Sequence, residues 1–275
     1  MGTGRPHVEV TAATLAGGDK NQDRYAYGDG WAFVLDGASS FVKTQPEHDG
    51  GWYAERLMQA LSAGLTEHPQ HTTPEIVEDA IRIVADLHGS DADSCPTSTI
   101  ALARWNGETV EAYLLGDSTV AFISDDGEEV LSDARLAQIA RPIRQEYQSR
   151  LNAGHGFDEQ HRELLLKLQA QQLDVRNESD GYWIAGAQPE AAHHGMSYTL
   201  PKDDLQSVVL ATDGAASGIR YGVVPTWADF AVHDPDVTLT SIHDAEASDP
   251  DAATWPRSKR HDDKTVVLIR STNYF

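Results

Sequence analysis

Four apolar runs of this sequence each carry an acidic residue at one end. The runs are AFVLDG, AYLLGDS, VVLATDG and HDDKTVVLI, and their acids are Asp36, Asp117, Asp213, and Asp262 with its neighbour Asp263. Most of these acids have no lysine or arginine at a matching position. Because a buried carboxylate without a partner costs several kcal/mol, another positive group is expected to compensate these charges.

A divalent metal ion is the compensating group that fits this pattern of acids. Carboxylates crowded together do not stay ionised without cations between them. Oxygen donors alone suit Mg²⁺ or Mn²⁺, whereas zinc prefers histidine and cysteine. A glycine follows both Asp36 and Asp213; it lets a backbone carbonyl approach a metal closely, and Gly214 is expected to turn the chain away from its strand. A single Asp-Gly pair often marks only a turn, but four strand-end acids together favour a metal site.

The elements that position these acids follow from the apolar periodicity. Alternating or continuous apolar runs predict strands at 7–14, 30–35, 97–104, 109–115, 119–124, 196–200, 206–212 and 264–270. The Asn-Gly pair of WNGE predicts a hairpin between the third and fourth of these strands. Helical periodicity covers 49–66, 74–90, 132–152 and 158–176. Because helices come in pairs between groups of strands, an α+β fold with mainly antiparallel sheets is favoured over a doubly wound parallel sheet.

Composition limits the possible partners. The chain has 275 residues, with 43 acidic against 21 basic side chains and a formal charge of −22. A surface this acidic disfavours nucleic acid and anionic membranes as partners. The N-terminus lacks an apolar leader, no apolar run approaches the roughly 18 residues of a membrane span, and Cys95 is the only cysteine. We therefore expect one domain over residues 1–275, in a cytoplasmic protein that is a monomer.

Five motifs, taken in order, resemble those of the metal-dependent protein phosphatases (protein phosphatase type 2C, or PPM). That family shows an Asn-acid-Asp element, an Asp-Gly, a Gly-Asp-Ser, a late Asp-Gly and a closing Asp-Asn-x-Thr or Ser. The corresponding segments here are NQDRY (21–25), VLDGASS (34–40), LLGDSTVAFI (114–123), LATDGAASG (210–218) and DDKTVVLI (262–269). Each motif is weak alone, but the five cover nearly the whole chain in the family's order. Their departures from the eukaryotic form resemble a divergent bacterial branch.

The resemblance implies a four-layer α-β-β-α sandwich with two mainly antiparallel sheets. It also implies two divalent ions, Mg²⁺ or Mn²⁺, between the sheets, with a third, weaker one nearby. In such enzymes a water that bridges two metals loses a proton readily and attacks phosphorus in line. The substrates implied are phosphoserine and phosphothreonine proteins, as in bacterial signalling.

The resemblance also assigns roles to individual residues. The metal ligands it implies are Asp36, which bridges both ions, the carbonyl of Gly37, Asp213, Asp262, and Asp117 at the third ion. Catalysis runs through the water held by Asp36 and Asp213. Asp262 is preferred over Asp263 because it stands three residues before a threonine, as in the family pattern. Asp23 is expected to support these ligands from behind.

Several positions depart from the family pattern. Gln22 stands where the family often has an acid, and Gly18 stands where an arginine usually grips the substrate phosphate. Lys20 or Arg24 is expected to supply that cation instead. These changes leave open an alternative function, that of a catalytically weak regulatory binding module. Retention of all four strand-end acids favours the enzyme.

The sequence offers two candidates for the proton donor to the leaving group. The Asp-Gly motif continues as Ala38-Ser39-Ser40 and lacks the family's histidine. Metal-bound water or His261, which adjoins Asp262, is then the candidate donor. Cysteine phosphatases are excluded because Ala101, not arginine, follows Cys95 by six residues.

Residues 131–180 are expected to form a helical, flap-like insertion over one side of the cleft. This segment has 7 basic and 8 acidic residues, so its net charge is −1. The rest of the chain therefore carries nearly all of the negative charge. We expect Arg141, Arg144 or Arg150 to face an anionic substrate, which such an acidic protein otherwise repels. The alternative is that these arginines only form helical ion pairs, such as Arg150 with Glu146.

Overall fold

The computed structural model describes residues 8–38, 47–89 and 92–271. Its strands are β1 (Val8–Leu15), β2 (Arg24–Gly28), β3 (Trp31–Leu35), β4 (Gly37–Ala38), β5 (Thr97–Ser98), β6 (Ile100–Trp105), β7 (Thr109–Leu115), β8 (Thr119–Ser124), β9 (Gly127–Ser132), β10 (Met196–Pro201), β11 (Leu205–Ala211) and β12 (Lys264–Ser271). Its helices are α1 (Gly50–Glu67), α2 (Thr73–His88), α3 (Arg135–Gln138), α4 (Arg141–Asn152), α5 (Glu159–Asp174), α6 (Asp213–Arg220), α7 (Trp227–Val232) and α8 (Pro235–Ser248). Within these three ranges, no helix combines the length and the apolar character needed to cross a membrane.

The strands form two five-stranded sheets. Sheet 1 has the order β1-β12-β11-β8-β9, and sheet 2 has the order β10-β7-β6-β3-β2. Every pair of neighbours within them is antiparallel. The short strands β4 and β5 form a separate two-stranded ribbon. The mainly antiparallel arrangement predicted from the paired helices is confirmed.

The side chains of each central strand alternate between two apolar layers. On β3, Phe33 and Leu35 pack with α1 and α2, whereas Ala32 and Val34 face sheet 1. The side chains of strand β11 also alternate: one set packs with α6, α7 and α8, and the other set faces sheet 2. This period-two pattern gives each sheet one helix-facing and one sheet-facing surface. The fold is therefore an α-β-β-α sandwich, as expected.

Local signals in the sequence place several element ends correctly. The side chain of Asn106 accepts hydrogen bonds from the backbone N–H groups of Glu108 (2.8 Å) and Thr109 (2.9 Å), which shapes the turn of the β6–β7 hairpin. Helix α2 ends at Gly89, whose φ of 67° is the left-handed conformation that glycine adopts without strain.

Three parts of the predicted element order are wrong. Strands β2 and β9, which form the outer edges of sheet 2 and sheet 1, were not predicted. The sequence pattern gave no helices between 213 and 248, yet α6, α7 and α8 lie there and cover sheet 1. The single helix expected over 132–152 is broken into α3 and α4 at Ala140, whose φ is 53°. Pro142 explains the break, because a proline fits the first turn of a helix but cannot continue one from the preceding turn.

The pair formed by α4 and α5 rests on the loop that precedes β12. Their contact buries Tyr147, Leu151, Leu164 and Leu168 together with Ala252 of that loop. The ring Nε2 of His161 lies 3.1 Å from the carbonyl oxygen of Ser258 in the same loop. Arg150 pairs with Asp158 at 2.6 Å, so its ion pair is with that residue and not with Glu146. The flap-like segment is thus joined to the chain that leads into Asp262.

Candidate metal centre

The strand-end acids meet at one end of the sandwich, between the two sheets. Asp36 follows β3 of sheet 2, Asp213 follows β11 by two residues, and Asp262 precedes the neighbouring strand β12 by two. Asp117 lies on the short connection by which β7 of sheet 2 passes to β8 of sheet 1. Asp36 and Asp213 are close enough to interact with each other, and both are close enough to Asp262 for its charge to affect them. The structure therefore brings these acids together.

The electrostatics of the metal-free cluster show carboxylates that nearby basic side chains compensate only in part. Burial, followed by the negative charges of Asp23, Asp213 and Asp262, holds the pKa of Asp36 well above its ordinary value. Burial and then Asp262 raise the pKa of Asp213. Burial and then Asp213 raise the pKa of Asp117 to about 7. Several carboxyl groups near one another thus favour protonation unless a cation neutralises them.

Asp23 lies behind this cluster and is 3% exposed. Its Oδ2 accepts a hydrogen bond from the Thr212 hydroxyl at 2.9 Å, while its buried Oδ1 has no hydrogen-bond partner in the described part of the chain. Burial raises the pKa of Asp23 to about 8; hydrogen bonds from Thr212 and Thr265 oppose the shift, and the charges of Asp263 and Asp262 add to it. A buried acid oxygen without a partner is costly, so a cation or a water is expected beside it.

The two adjacent acids before β12 have different surroundings. Asp263 accepts hydrogen bonds from the backbone N–H groups of Gly17 (2.8 Å) and Gln22 (2.7 Å), one on each carboxylate oxygen. It therefore fastens the N-terminal segment to β12. Asp262 instead accepts hydrogen bonds from Lys259 (2.6 Å) and from the backbone N–H of Asp263 (3.0 Å), and its charge affects both Asp36 and Asp213. The choice of Asp262 over Asp263 as the ligand stays a prediction.

At two positions of the motifs a glycine is required because another backbone segment passes too close to leave room for a side chain. A Cβ at Gly37 would lie 2.3 Å from the carbonyl oxygen of Gly50, and one at Gly214 would lie 2.0 Å from that of Asp263. Gly214 does not turn the chain away from β11 as expected, because Asp213 is already the first residue of α6. Its missing side chain instead lets α6 pack directly on the Asp262–Asp263 backbone.

The cations predicted to bind phosphate are occupied elsewhere. The Nζ of Lys20 is 3.0 Å from Asp49, and its side chain is exposed. Arg24 pairs with Glu55 at 2.7 Å and also donates to the backbone carbonyls of residues 21 and 23. Both side chains are therefore already paired with acids at the start of α1.

Lys259 is a cation of the site that the sequence did not reveal. Its Nζ donates a hydrogen bond to Oδ1 of Asp262 at 2.6 Å. Although partial loss of hydration works against it, the charges of Asp262, Asp36 and Asp213 raise the pKa of Lys259 above its ordinary value, while its side chain stays 61% exposed. The available signal was its position three residues before Asp262. Only the folded loop, however, brings it to Asp36 and Asp213.

Two adjoining clefts open beside the acids. The first, of about 290 Å³, is lined by Asp262 and Lys259, and we call it the Asp262 cleft. The second, of about 350 Å³, is lined by Asp117, and we call it the Asp117 cleft. Asp213, Arg144 and Arg220 line both. Three arginines of the flap were considered from the sequence. Among the described residues that line the two clefts, Arg144 is the one of these three that is present.

His261 belongs to a buried polar network next to the site. Its Nδ1 lies 3.1 Å from Oε2 of Glu246, and the same oxygen accepts a hydrogen bond from Nζ of Lys264 at 2.7 Å. Lys264 also donates to the backbone carbonyl of Asp262 at 2.7 Å. The imidazole is therefore engaged by Glu246, and the network holds the Asp262 backbone in place.

The donor set fits Mg²⁺ or Mn²⁺. The converging groups are carboxylates whose charge the protein leaves largely uncompensated, and one buried oxygen of Asp23 lacks a partner among the described residues. Hard divalent cations prefer such oxygen donors.

Metal-free protein is expected to become more stable as the pH falls from 8.5 to 6.5. The folded pKa of Asp23 is about 8, and its unfolded value is about 3.9. The folded state therefore holds a proton that the unfolded state releases, and this stability is lost as the pH rises through 8. Each such group contributes up to about 1.4 kcal/mol per pH unit.

Urea unfolding in EDTA at several pH values measures this slope. Asp23→Asn, which mimics the protonated acid, is expected to flatten it. The window stops at 6.5 because burial lowers the pKa of His88 and His243, which gives a trend of opposite sign at lower pH. A slope unchanged in Asp23→Asn contradicts the assignment.

Comparison with known proteins places the chain in a family. Residues 12–241 match the family model described as protein phosphatase 2C, and the chain belongs to that family. A search of curated proteins gave no significant match.

Solved structures share the fold at low identity. The PstP catalytic domain, solved with 2 manganese ions, is 14% identical with a TM-score of 0.57, covering 96% of this chain and 97% of that one. The phosphatase MsPP from Mycobacterium smegmatis, solved with cacodylate, is 18% identical with a TM-score of 0.54, covering 96% and 98%. PppA, a regulatory component of the type VI secretion system in Pseudomonas aeruginosa, is 14% identical with a TM-score of 0.58, also covering 96% and 98%.

Proposed function

We propose that this protein is a metal-dependent serine/threonine phosphatase that hydrolyses phosphomonoesters on proteins. The observation that carries the proposal is the convergence of Asp36, Asp213 and Asp262 from separate strand ends, with the pKa of Asp36 and of Asp213 raised in the absence of a cation. Membership of the protein phosphatase 2C family supports the same reaction. In this proposal residues 1–275 form one catalytic domain, with residues 131–180 as its flap.

The proposed metal ligands are the acids that converge at this end of the sandwich, together with one backbone carbonyl. Asp36, Asp213 and Asp262, with the carbonyl of Gly37, would hold two Mg²⁺ or Mn²⁺ ions, and Asp117 would serve a third. The structure of PstP with 2 manganese ions supports this choice of metal. When bound, such ions make water nucleophilic at neutral pH and neutralise charge on the phosphoryl group.

The other residues of the site hold this set in place. Thr212 donates to Asp23 behind the ligands, Asp263 fastens the N-terminal segment, and Lys264 holds the carbonyl of Asp262. Because the histidine beside Asp262 already faces Glu246, we assign it no proton transfer to the leaving group.

Hydrolysis of p-nitrophenyl phosphate and of a phosphothreonine peptide tests the proposal. Activity is expected with Mn²⁺ or Mg²⁺, and EDTA should reduce it at least about a hundredfold, because attack of unactivated water is slow. Re-addition of the metal should restore it. Activity that persists undiminished in EDTA contradicts the mechanism. A folded protein that binds Mn²⁺ but is inactive on both substrates favours the regulatory binding module.

A further inference from the structure

A phosphate-binding cation is still needed at this site. The chain carries a charge of −22, and the acids of the cluster add a local negative field that repels a phosphomonoester. Lys20 and Arg24, the cations that the sequence suggested for this role, have acidic partners at 3.0 and 2.7 Å. The substrate cation is therefore expected among the basic residues that border the clefts.

Arg144 is placed for this role. It belongs to α4 and lines both the Asp262 cleft and the Asp117 cleft, as does Arg220 of α6. Its Nε is buried and finds no hydrogen-bond partner among the described residues. A guanidinium presents paired N–H donors that match the oxygens of a phosphate. A buried donor without a partner beside a cleft is what an incoming anion would satisfy.

The position of Arg144 is fixed by the packing of its helix. Tyr147, one turn further along α4, is 3% exposed and contacts the ring of His161 edge-on at 5.5 Å between centroids. His161 in turn contacts the Ser258 carbonyl, one residue before Lys259. Arg144 is thereby held relative to the loop that carries Lys259 and Asp262, which reduces the entropic cost of binding an anion there.

The other three cations at the clefts are less well placed to take the leading role. Arg257 is buried and paired with Asp249 at 3.0 Å. Lys259 is already bonded to Asp262 at 2.6 Å. Arg220 is exposed at the end of α6, with its guanidinium 5.8 Å from the ring centre of Tyr221. Arg144 combines a central position with a buried, unpartnered donor.

We propose that Arg144 binds the phosphate group of the substrate where the two clefts adjoin, with Arg220, which also lines both clefts, assisting. The family usually has an arginine at the position of Gly18, and this chain does not. In this proposal the flap supplies the missing cation, and the segment around Lys20 and Arg24 does not. This role for Arg144 rests on the proposed function, since it assumes a phosphomonoester substrate.

Binding of inorganic phosphate to the Mn²⁺-loaded protein, measured by calorimetry, tests the role directly. Arg144→Ala is expected to weaken phosphate binding about 10- to 100-fold, the range for loss of hydrogen bonds between charged groups. KM for a phosphothreonine peptide should rise by a similar factor, with a smaller change in kcat. Arg144→Lys should recover part of the affinity, because the charge remains without the paired donors. Arg141→Ala is the matched control from the same helix, and it should leave both constants unchanged.

Several outcomes overturn the role of Arg144. These are a wild-type protein that does not bind phosphate, a folded Arg144→Ala variant that binds it as wild type does, and a loss of affinity in Lys259→Ala that Arg144→Ala does not share. If Arg144→Ala fails to fold, Arg144→Lys decides, because wild-type affinity in that variant also overturns the role.

The role of Arg144 and the proposed function can fail separately. Phosphate binding that depends on Arg144 in a protein without phosphatase activity supports the role and refutes the function. Metal-dependent hydrolysis by the wild-type protein, with KM and phosphate affinity unchanged in Arg144→Ala, supports the function and refutes the role.

Discussion

Replacing Asp36 or Asp213 with alanine should lower kcat/KM by a factor on the order of 10³ or more, while the protein stays folded. Each acid is proposed to hold metal, so its loss removes the charge that activates water and stabilises the reacting phosphoryl group. In metal-free protein the same substitutions should raise the melting temperature slightly. The reason is that burial and the neighbouring acids disfavour ionisation of both groups, so removing one relieves repulsion.

Asp126→Ala is a suitable control for these variants. Asp126 also precedes a glycine and follows a strand, but it lies exposed in the turn between β8 and β9. It should leave activity unchanged. The alternative, that Asp36 and Asp213 only shape turns, predicts lower melting temperatures with activity proportional to the folded fraction. That result contradicts the metal-ligand assignment.

Lys264→Met should destabilise the protein by about 3–5 kcal/mol, the usual effect of removing one partner of a buried ion pair. The side chain of Lys264 is 0% exposed and lies 2.7 Å from Glu246, which is 2% exposed. Without the lysine, that carboxylate stays buried with its charge largely unpaired. Asp262 also loses the hydrogen bond that holds its backbone carbonyl, so Mn²⁺ affinity should fall as well.

Urea denaturation of two further variants separates the causes. Lys264→Met combined with Glu246→Leu should recover much of the lost stability, because no buried charge is left unpaired. Lys259→Met, which removes a lysine with a 61% exposed side chain, should change stability by less than about 1 kcal/mol. A loss below about 1 kcal/mol for Lys264→Met contradicts the importance of the buried pair.

The layers of the fold were predictable because each depends on a local pattern. Asp36 directly follows the apolar strand β3, and Asp213 follows the apolar strand β11 after one intervening residue. The sequence itself therefore shows acids at strand ends. The three helices over sheet 1 were missed for local reasons too. Helix α6 contains two glycines in eight residues, and α8 is rich in Thr, Ser and Asp, which are weak helix formers. Tertiary packing stabilises these helices where propensity does not.

The cations of the site were less predictable than its acids. Lys20 and Arg24 lie beside the first motif in the sequence, but Asp49 and Glu55 of the α1 region pair with them in the fold. Arg144 reaches the clefts because a new helix, α4, begins at Arg141 and rests on the loop before β12. Which charges meet across the chain depends on such packing, which no motif spacing encodes.

Calorimetric titration with Mn²⁺ tests the metal centre most directly. Wild-type protein is expected to bind at least two ions with micromolar to millimolar affinity. Asp36→Ala and Asp213→Ala should each lose at least one of these sites, while Asp126→Ala should bind as wild type does. Absence of Mn²⁺ binding to the folded wild-type protein, or binding that is unchanged in both Asp36→Ala and Asp213→Ala, would contradict the proposed metal centre.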